Sequence, residues 1–312
     1  MISRRNFISQ AALAGGSLLL GSDITGATEP FASNKRLTIL HTNDVHSRID
    51  PVPLGSGSRF DGLGGVDARA GLINQIRSQE ENVLLFDAGD IFQGTPYFNV
   101  FKGEVELKSM SLMRYDAGTI GNHEFDEGLE NLATQITKHA SFPMVICNYD
   151  FTATPMEGKC IPYRIFKTGG LKIGMLGVGI QLEGVVDERL YRNTKYFDPV
   201  QKANQYAYQL KKENCDLIIC LSHLGYSYST NRVSDVILAR ESENIDLIIG
   251  GHTHTFLDTP VTVKNKNAGD VIIVQQGWGG VQMGRLDFIF ERKKGKRLFQ
   301  SQTIPITKKS GN

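Results

Sequence analysis

Five short apolar runs in this chain, each with the composition of a buried strand, are followed at once by side chains that can bind a metal ion. The runs are residues 37–40, 83–86, 117–120, 217–221 and 247–250. The polar segments after them are residues 41–46, 87–90, 121–126, 222–223 and 251–254. Because ligands of α/β domains gather beyond the carboxyl ends of the strands, five such loops can place these groups around one point. The pattern therefore predicts an α/β domain with a polar site at a sheet edge.

Segments whose apolar residues recur at helical spacing lie between and after these runs. Helices are predicted at residues 66–79, 129–139, 199–212 and 233–241. Gly169 and Gly170 separate two apolar segments and indicate a hairpin, because glycine tolerates the positive φ of a tight turn. Further strands are predicted at residues 271–274, 285–290 and 298–306. This order, βαβα first and hairpins afterwards, predicts one mixed domain with sheets inside and helices outside.

The candidate ligands in the five polar segments are imidazoles, carboxylates and one side-chain amide, that of Asn122. Six of the seven histidines lie in them: His41, His46, His123, His223, His252 and His254. A lone histidine beside a strand is usually structural, but five independent segments make that interpretation weak. Since no thiolate takes part, the set favours a catalytic site for zinc, manganese, iron or cobalt over a structural zinc site. Two divalent ions are expected, because the candidate ligands exceed what one tetrahedral ion needs, and Asp90 can bridge the pair.

Five motifs follow one another in a fixed order: Asp44-x-His46, Gly89-Asp90, Gly121-Asn122-His123-Glu124, His223 and Gly251-His252-Thr253-His254. In this order they resemble the motifs of the calcineurin-like metallophosphoesterases. The longer strings at residues 41–46, 87–95 and 122–126 are closer still to the 5′-nucleotidase branch. The resemblance covers nearly the whole chain after its first thirty residues. It implies an α/β fold of four layers, an αββα sandwich of two mixed sheets flanked by helices.

Residue by residue, the resemblance implies two metal sites that share one carboxylate. One ion would be held by Asp44, His46, Asp90 and His254. The other would be held by Asp90, Asn122, His223 and His252. His123 and Asp126 match the catalytic dyad of the family, and Asn122 and His123 would also contact the substrate. Asp87 does not match a ligand position and is expected to be a supporting residue, while Glu124, which could equally be a cap or a surface residue, is given no role.

The activity that the resemblance implies is two-metal hydrolysis of phosphate monoesters, with nucleotides as the expected substrates. A cyclic nucleotide phosphodiesterase and a sulfur-ester hydrolase are alternatives, because the same kind of centre or scaffold serves them. The 5′-nucleotidases of this family usually carry a second, C-terminal domain that binds the nucleoside, whereas this sequence stops at Asn312. A further alternative is therefore a catalytic subunit that needs a separate C-terminal-domain partner chain, and nucleotide specificity is left open.

Residues 1–30 differ from the rest and predict an export signal. Arg4 and Arg5 precede a short apolar run at residues 11–20, and no acidic residue lies before the end of that run. The paired arginines resemble a twin-arginine signal, with a general secretory signal as the alternative. The run is too short to span a bilayer as a mature helix. We therefore expect a catalytic domain at residues 31–312 that works in the periplasm or another extracytoplasmic space.

The overall charge narrows the expected partners. The 34 lysines and arginines almost balance the 33 acidic residues, for a formal charge of +1, so no field for gripping a nucleic acid polymer or an anionic membrane is indicated. The expected partner is a small phosphate ester. Four cysteines are too few for a disulfide scaffold, although Cys147 and Cys160 could bridge in an oxidising compartment.

Overall fold

Two mixed β-sheets lie against each other in the computed structural model, which describes residues 34–291 and 295–308. The described residues all belong to one unit of the chain. The export signal predicted at residues 1–30 lies outside them. Among the described residues, no helix combines the length and the apolar character needed to cross a bilayer.

Helices are interspersed among the strands of the described chain as far as residue 241, and strands alone follow. The strands are β1 (Lys35–Thr42), β2 (Val83–Asp87), β3 (Ala117–Gly118), β4 (Met144–Val145), β5 (Tyr149–Asp150), β6 (Cys160–Ile161), β7 (Tyr163–Thr168), β8 (Leu171–Gly179), β9 (Lys195–Tyr196), β10 (Leu217–His223), β11 (Leu247–Gly250), β12 (Val261–Lys264), β13 (Asp270–Val274), β14 (Gln282–Glu291) and β15 (Gly295–Pro305). The helices are α1 (Val66–Gln79), α2 (Pro96–Phe101), α3 (Glu104–Leu112), α4 (Gly128–His139), α5 (Glu188–Tyr191), α6 (Pro199–Lys212) and α7 (Asp235–Glu241). A 3₁₀ turn at His123–Phe125 lies between β3 and α4.

Both large sheets are built around parallel strands. The first has the order β15-β14-β1-β2-β3-β4-β6, in which β1, β2, β3, β4 and β6 are parallel and β14 pairs antiparallel with its neighbours. The second has the order β12-β13-β11-β10-β8-β7, in which the four central strands are parallel and the two edge strands pair antiparallel. β5 and β9 form a small separate pair. The mixed sheets predicted from the sequence are confirmed.

The alternation of side chains along β1 shows how the layers form. Leu37 and Ile39 point into the core between the sheets, where they share a cluster with Ile219 of the second sheet. Leu40 faces the other way and packs in the cluster that contains Ile73 of α1. Because successive side chains of a strand point to opposite faces, β1 contributes to two cores at once.

Helix α6 covers the outer face of the second sheet. The residues at its N-terminus favour the start of a helix. The Asp198 side chain accepts a hydrogen bond from the backbone N–H of Gln201 at 2.9 Å, and Pro199 occupies the first turn. Ala203 and Ala207, four residues apart, are fully buried in the cluster beneath the helix. With α1, α3 and α4 on the first sheet, this completes the predicted αββα sandwich.

Some boundaries differ from the sequence prediction. β3 ends at Gly118 rather than at residue 120, since the next residues already form the loop that carries Asn122. The hydrophobic pattern contained no sign of α2 and α3, which are short and are separated by Gly103 at a φ of 106°. All four cysteines lie in the described residues as free thiols, so Cys147 and Cys160 do not form the bridge considered from the sequence.

Candidate metal centre

The seven predicted metal ligands come together where parallel strands of the two sheets end. The first sheet supplies four of them from the loops after β1, β2 and β3: Asp44, His46, Asp90 and Asn122. The second sheet supplies three from the end of β10 and the loop after β11: His223, His252 and His254. The site therefore straddles the seam between the two sheets.

One group of candidate ligands consists of Asp44, His46, Asp90 and His254, whose ligand atoms all lie within 4.8 Å of one another. Nε2 of His46 lies 2.9 Å from Nε2 of His254. Oδ1 of Asp44 lies 3.3 Å from the same nitrogen of His254. Two imidazole nitrogens converging beside carboxylates form a nitrogen and oxygen donor set suited to a divalent transition metal.

A second group consists of Asp90, His223 and His252, again with ligand atoms within 4.8 Å of one another. Oδ2 of Asp90 lies 3.0 Å from Nε2 of His223. Nδ1 of His252 lies 2.8 Å from Oδ1 of Asn122, which brings the amide to the edge of the group. Asp90 belongs to both groups, as its expected bridging position requires.

The orientation of His223 fits a metal ligand. The residue is fully buried, and its Nδ1 lies 2.7 Å from the carbonyl oxygen of Ala88. Its buried Nε2 makes no well-directed hydrogen bond, although a carboxylate oxygen of Asp90 is close. An imidazole that donates through Nδ1 to a carbonyl presents the lone pair of Nε2, the usual arrangement of metal-binding histidines. Burial lowers the pKa of His223, but the charge of Asp90 outweighs it and raises the pKa to about 10.

The backbone at the centre is held in an unusual conformation. Five of the candidate ligands have positive φ: Asp44 (49°), His46 (49°), Asp90 (54°), His252 (74°) and His254 (53°). Such a conformation costs a non-glycine residue on the order of 1–3 kcal/mol and is concentrated at functional sites. Hydrogen bonds between the loops maintain it, since the backbone N–H of His252 lies 3.0 Å from both carboxylate oxygens of Asp44. The ligand loops are therefore preorganised by contacts with one another.

Gly121 allows two of these loops to approach closely. A β-carbon at this position would lie 2.6 Å from the backbone nitrogen of Asp90 and 2.7 Å from Nε2 of His223. Any side chain here would displace the carboxylate that both groups share.

Glu124, which had no assigned role from the sequence, organises the Asp90 loop. It is buried, and its Oε2 accepts hydrogen bonds from the backbone N–H groups of Asp90 at 3.0 Å and Gly121 at 2.6 Å. Its Oε1 accepts from Ile91 at 2.7 Å and Phe92 at 3.1 Å. Burial and the charge of Asp90 raise the pKa of Glu124 to about 7. Glu124 is therefore a buried acceptor for the backbone N–H groups of this loop, and the alternative of a surface residue is wrong.

His123 and Asp126 form a pair beside the two groups. Nδ1 of His123 lies 2.8 Å from Oδ2 of Asp126, and the backbone N–H of His123 donates to Oδ1 of Asp90 at 2.9 Å. The His123 side chain is 33% exposed and its ring centroid lies 5.2 Å from that of His46. Burial lowers the pKa of His123, but the hydrogen bond to Asp126 and the charge of Asp90 outweigh it, so the pKa is raised. The imidazole is oriented and accessible without belonging to either ligand group.

The family model described as calcineurin-like phosphoesterase matches residues 37–256, more than half of the chain. The chain belongs to the calcineurin-like phosphoesterase family. Phosphoesterases of this family use divalent metal ions, in agreement with the two ligand groups.

Several relatives of this phosphoesterase are named as 5′-nucleotidases. The snake venom 5′-nucleotidase of Crotalus adamanteus is 36% identical over a region that covers 84% of this chain and 46% of that protein. The 5′-nucleotidase of Homo sapiens is 33% identical, over 95% of this chain and 54% of its own length. The structure of a 5′-nucleotidase precursor from Thermus thermophilus superposes with a TM-score of 0.80 and 31% identity, covering 88% of this chain and 55% of that one. The phosphoesterase chain thus spans about half the length of these relatives.

Two further buried carboxylates support the loops of this phosphoesterase. Asp87 accepts hydrogen bonds from the hydroxyl of Thr42 at 2.6 Å and the backbone N–H of Gly89 at 2.9 Å, a supporting arrangement like the one expected. Burial raises the pKa of Asp87 to about 7. Asp235, which sequence reasoning missed, accepts a hydrogen bond from the Ser222 hydroxyl at 2.5 Å at the end of β10. No local pattern marks it, because its partner lies on a different element.

His41 is the histidine of the polar segments that the structure places outside the centre. It is fully buried, and within the described residues neither of its ring nitrogens has a hydrogen-bond partner. Its ring lies where a side chain on Gly284 of β14 would be. Burial lowers the pKa of His41 to about 3, so it packs as a neutral ring.

Proposed function

We propose that the chain is a two-metal hydrolase of phosphate monoesters that acts on nucleotides, in the manner of a 5′-nucleotidase. The observation that carries the proposal is the position of Asp90 in both ligand groups. The names of its relatives support the substrate class. The chemistry of the donors, nitrogen and oxygen without thiolate, supports zinc, manganese, iron or cobalt.

We assign each ligand group one ion. Asp44, His46, Asp90 and His254 would hold the first. Asp90, Asn122, His223 and His252 would hold the second. Two such ions would supply an activated water nucleophile and would neutralise charge on the phosphoryl oxygens.

His123 and Asn122 would act on the substrate directly. His123, oriented by Asp126, can donate a hydrogen bond to a phosphoryl oxygen or a proton to the leaving oxygen. The hydrogen bond to Asp126 favours the protonated, donating form of the ring. The Asn122 amide, adjacent in the chain, lies at the same edge of the centre.

Two further proposals concern the surroundings of the enzyme. The matched relatives are about twice as long as this chain, which is consistent with a separate partner chain that supplies a C-terminal domain. The twin-arginine pattern at Arg4 and Arg5 supports export to the periplasm or another extracytoplasmic space.

A substrate panel on the purified, metal-reconstituted chain tests the activity. The panel contains nucleoside monophosphates, cyclic nucleotides, sugar phosphates and a generic aryl phosphate, and chelator-treated protein is the control. We expect metal-dependent release of phosphate from nucleoside monophosphates. A preference for cyclic nucleotides would instead indicate a phosphodiesterase, and no release from any ester, with or without a partner chain, would contradict the proposal.

A further inference from the structure

Four side chains near the metal centre form a continuous surface of rings and positive charge, here called the aromatic ledge: Arg59, Phe60, Phe256 and Trp278. The rings of Phe60 and Phe256 stack with centroids 5.2 Å apart and planes inclined by 16°. Phe60 meets Trp278 edge-on, with centroids 6.4 Å apart. The Arg59 guanidinium lies 4.6 Å from the centroid of Phe60 and 5.1 Å from that of Phe256.

One ring of the aromatic ledge packs beside the ring of a candidate metal ligand. The Trp278 ring lies 6.3 Å from the ring of His254, with the two planes inclined by 28°. His254 belongs to the first ligand group and its side chain is 42% exposed. A substrate whose phosphate sits at the ligand groups would therefore have the rings of the ledge within reach of its organic part.

Hydrogen bonds fix the ledge relative to the metal centre. The backbone N–H of Gly279 donates to the carbonyl oxygen of Asp44 at 2.6 Å. The side-chain amide of Asn43 donates to the carbonyl oxygen of Gly277 at 2.8 Å. Trp278 lies between these two glycines, so the loop that carries it is tied to the same segment as a metal ligand. A binding surface held in place in this way loses little freedom when it takes a ligand.

Packing of the hydrophobic cores does not account for these rings. Phe60, Phe256 and Trp278 are half-buried, and none of them belongs to the three core clusters of the described residues. Aromatic rings held at a surface stack well on flat heterocycles, and a guanidinium group adds to such stacking. The surface is thus suited to an aromatic ring that carries polar atoms at its edge.

We propose that the aromatic ledge is the subsite for the organic group of the substrate and that it selects phosphate esters whose leaving group carries a flat aromatic ring, as a nucleoside does. The inference rests on the proposed function for the reaction at the metal centre. In that reaction water adds to phosphorus, the bond from phosphorus to the ester oxygen breaks, and the leaving oxygen takes a proton, giving phosphate and the free alcohol. Recognition of the leaving group would then reside in the catalytic domain itself.

The chain contains a single tryptophan, Trp278, so its tryptophan fluorescence, excited at wavelengths that tyrosine does not absorb, reports on the ledge. In a titration of the metal-loaded full chain, adenosine should change this fluorescence saturably, whereas ribose should not. In kinetics, Trp278→Ala should lower kcat/KM for adenosine 5′-monophosphate roughly tenfold, the usual loss for one stacked base, and leave ribose 5-phosphate unchanged. Trp278→Phe should retain most of the preference. Tyr208→Ala, at an exposed aromatic on α6, is the matched control and should change neither substrate.

The outcomes separate the two proposals. Equal effects of Trp278→Ala on both substrates, with no fluorescence response to adenosine in the parent chain, would overturn the ledge and leave the hydrolase standing. Saturable binding of adenosine by a chain that hydrolyses no ester would remove the proposed function and keep the ring-binding site. If Trp278→Ala does not fold, Phe60→Ala replaces it in the same comparison, and an unchanged substrate ratio there counts against the ledge.

Discussion

Oε2 of Glu124 lies 3.0 Å from the backbone nitrogen of Asp90, so a residue outside both ligand groups holds the carboxylate that the groups share. The same side chain accepts hydrogen bonds from the neighbouring backbone and from Gly121. The position of Asp90 is therefore set by a buried acceptor on the next strand loop.

Glu124→Gln should weaken metal binding and lower kcat/KM by about 10- to 100-fold, the usual effect of losing a partner that orients a metal ligand. The reason is that an amide offers one acceptor oxygen, and its NH₂ group would face backbone donors. Metal titration and kinetics check this. Glu127→Gln, at an exposed pair with Lys102, is the control and should be silent. Full metal content and normal turnover in Glu124→Gln would show that the Asp90 loop keeps its conformation without the Glu124 carboxylate.

Asp90→Asn should reduce activity by more than roughly 100-fold and weaken the binding of both ions, because a shared ligand loses its charge. Steady-state kinetics measures the first effect, and metal analysis of the purified variant measures the second. Thermal unfolding also reports ion binding, since an ion at 100 times its Kd stabilises the folded state by about 2.7 kcal/mol and the variant should show a smaller rise in Tm. Two tightly held ions with normal turnover would show that Asp90 is not the bridge.

His123→Ala should lower turnover by about 10²–10⁴ and leave the metal content unchanged, because the residue acts on the substrate. The loss should be larger for nucleoside monophosphates than for aryl phosphates if His123 protonates the leaving oxygen, and equal if it stabilises phosphoryl oxygens. Asp126→Asn should reproduce part of the loss by releasing the ring. Loss of an ion in proportion to activity would make His123 a ligand instead.

Gly284→Ala should destabilise the fold by about 1–3 kcal/mol, because the new methyl group would overlap the buried ring of His41. Denaturant unfolding measures the change. The cost should shrink in the background of His41→Ala, where the space is free, and a double-mutant cycle gives the coupling. Strict additivity of the two changes would mean that the cost of Gly284→Ala does not arise from overlap with the His41 ring.

Changing Arg4 and Arg5 together to Lys should trap unprocessed chain in the cytoplasm, because the twin-arginine route depends on that pair. Cell fractionation and the size of the product are the measurements. Unaffected export would leave a general secretory signal as the explanation.

The site could be predicted from the sequence because its residues directly follow strands. Asp44, Asp90 and His223 each stand at or just beyond a strand end, and parallel strands bring such ends to one edge. Local order along the chain was therefore enough to predict that these candidate ligands lie close together. The short apolar run within β1 likewise predicted a buried strand.

The remaining features depend on contacts between distant segments. The local sequence around Glu124 does not distinguish it from other acidic residues beside turns. Its role depends on its hydrogen bond to the Asp90 loop. His41 shares a motif with metal ligands, yet it faces Gly284 on a strand more than two hundred residues away. Trp278 follows a strand as the ligands do, but only the packing of its loop against the strand end at Asp44 brings it beside His254.

The candidate ligands come from both sheets, and this has a consequence for how the fold unfolds. In the proposed assignment each ion takes ligands from the first sheet and from the second. The ions would therefore link the two sheets through coordination bonds. Separation of the sheets would then require breaking coordination bonds before the apolar interior is exposed. Such a barrier lengthens the lifetime of the folded state, so the loaded protein would resist proteases and heat for longer than its equilibrium stability alone indicates.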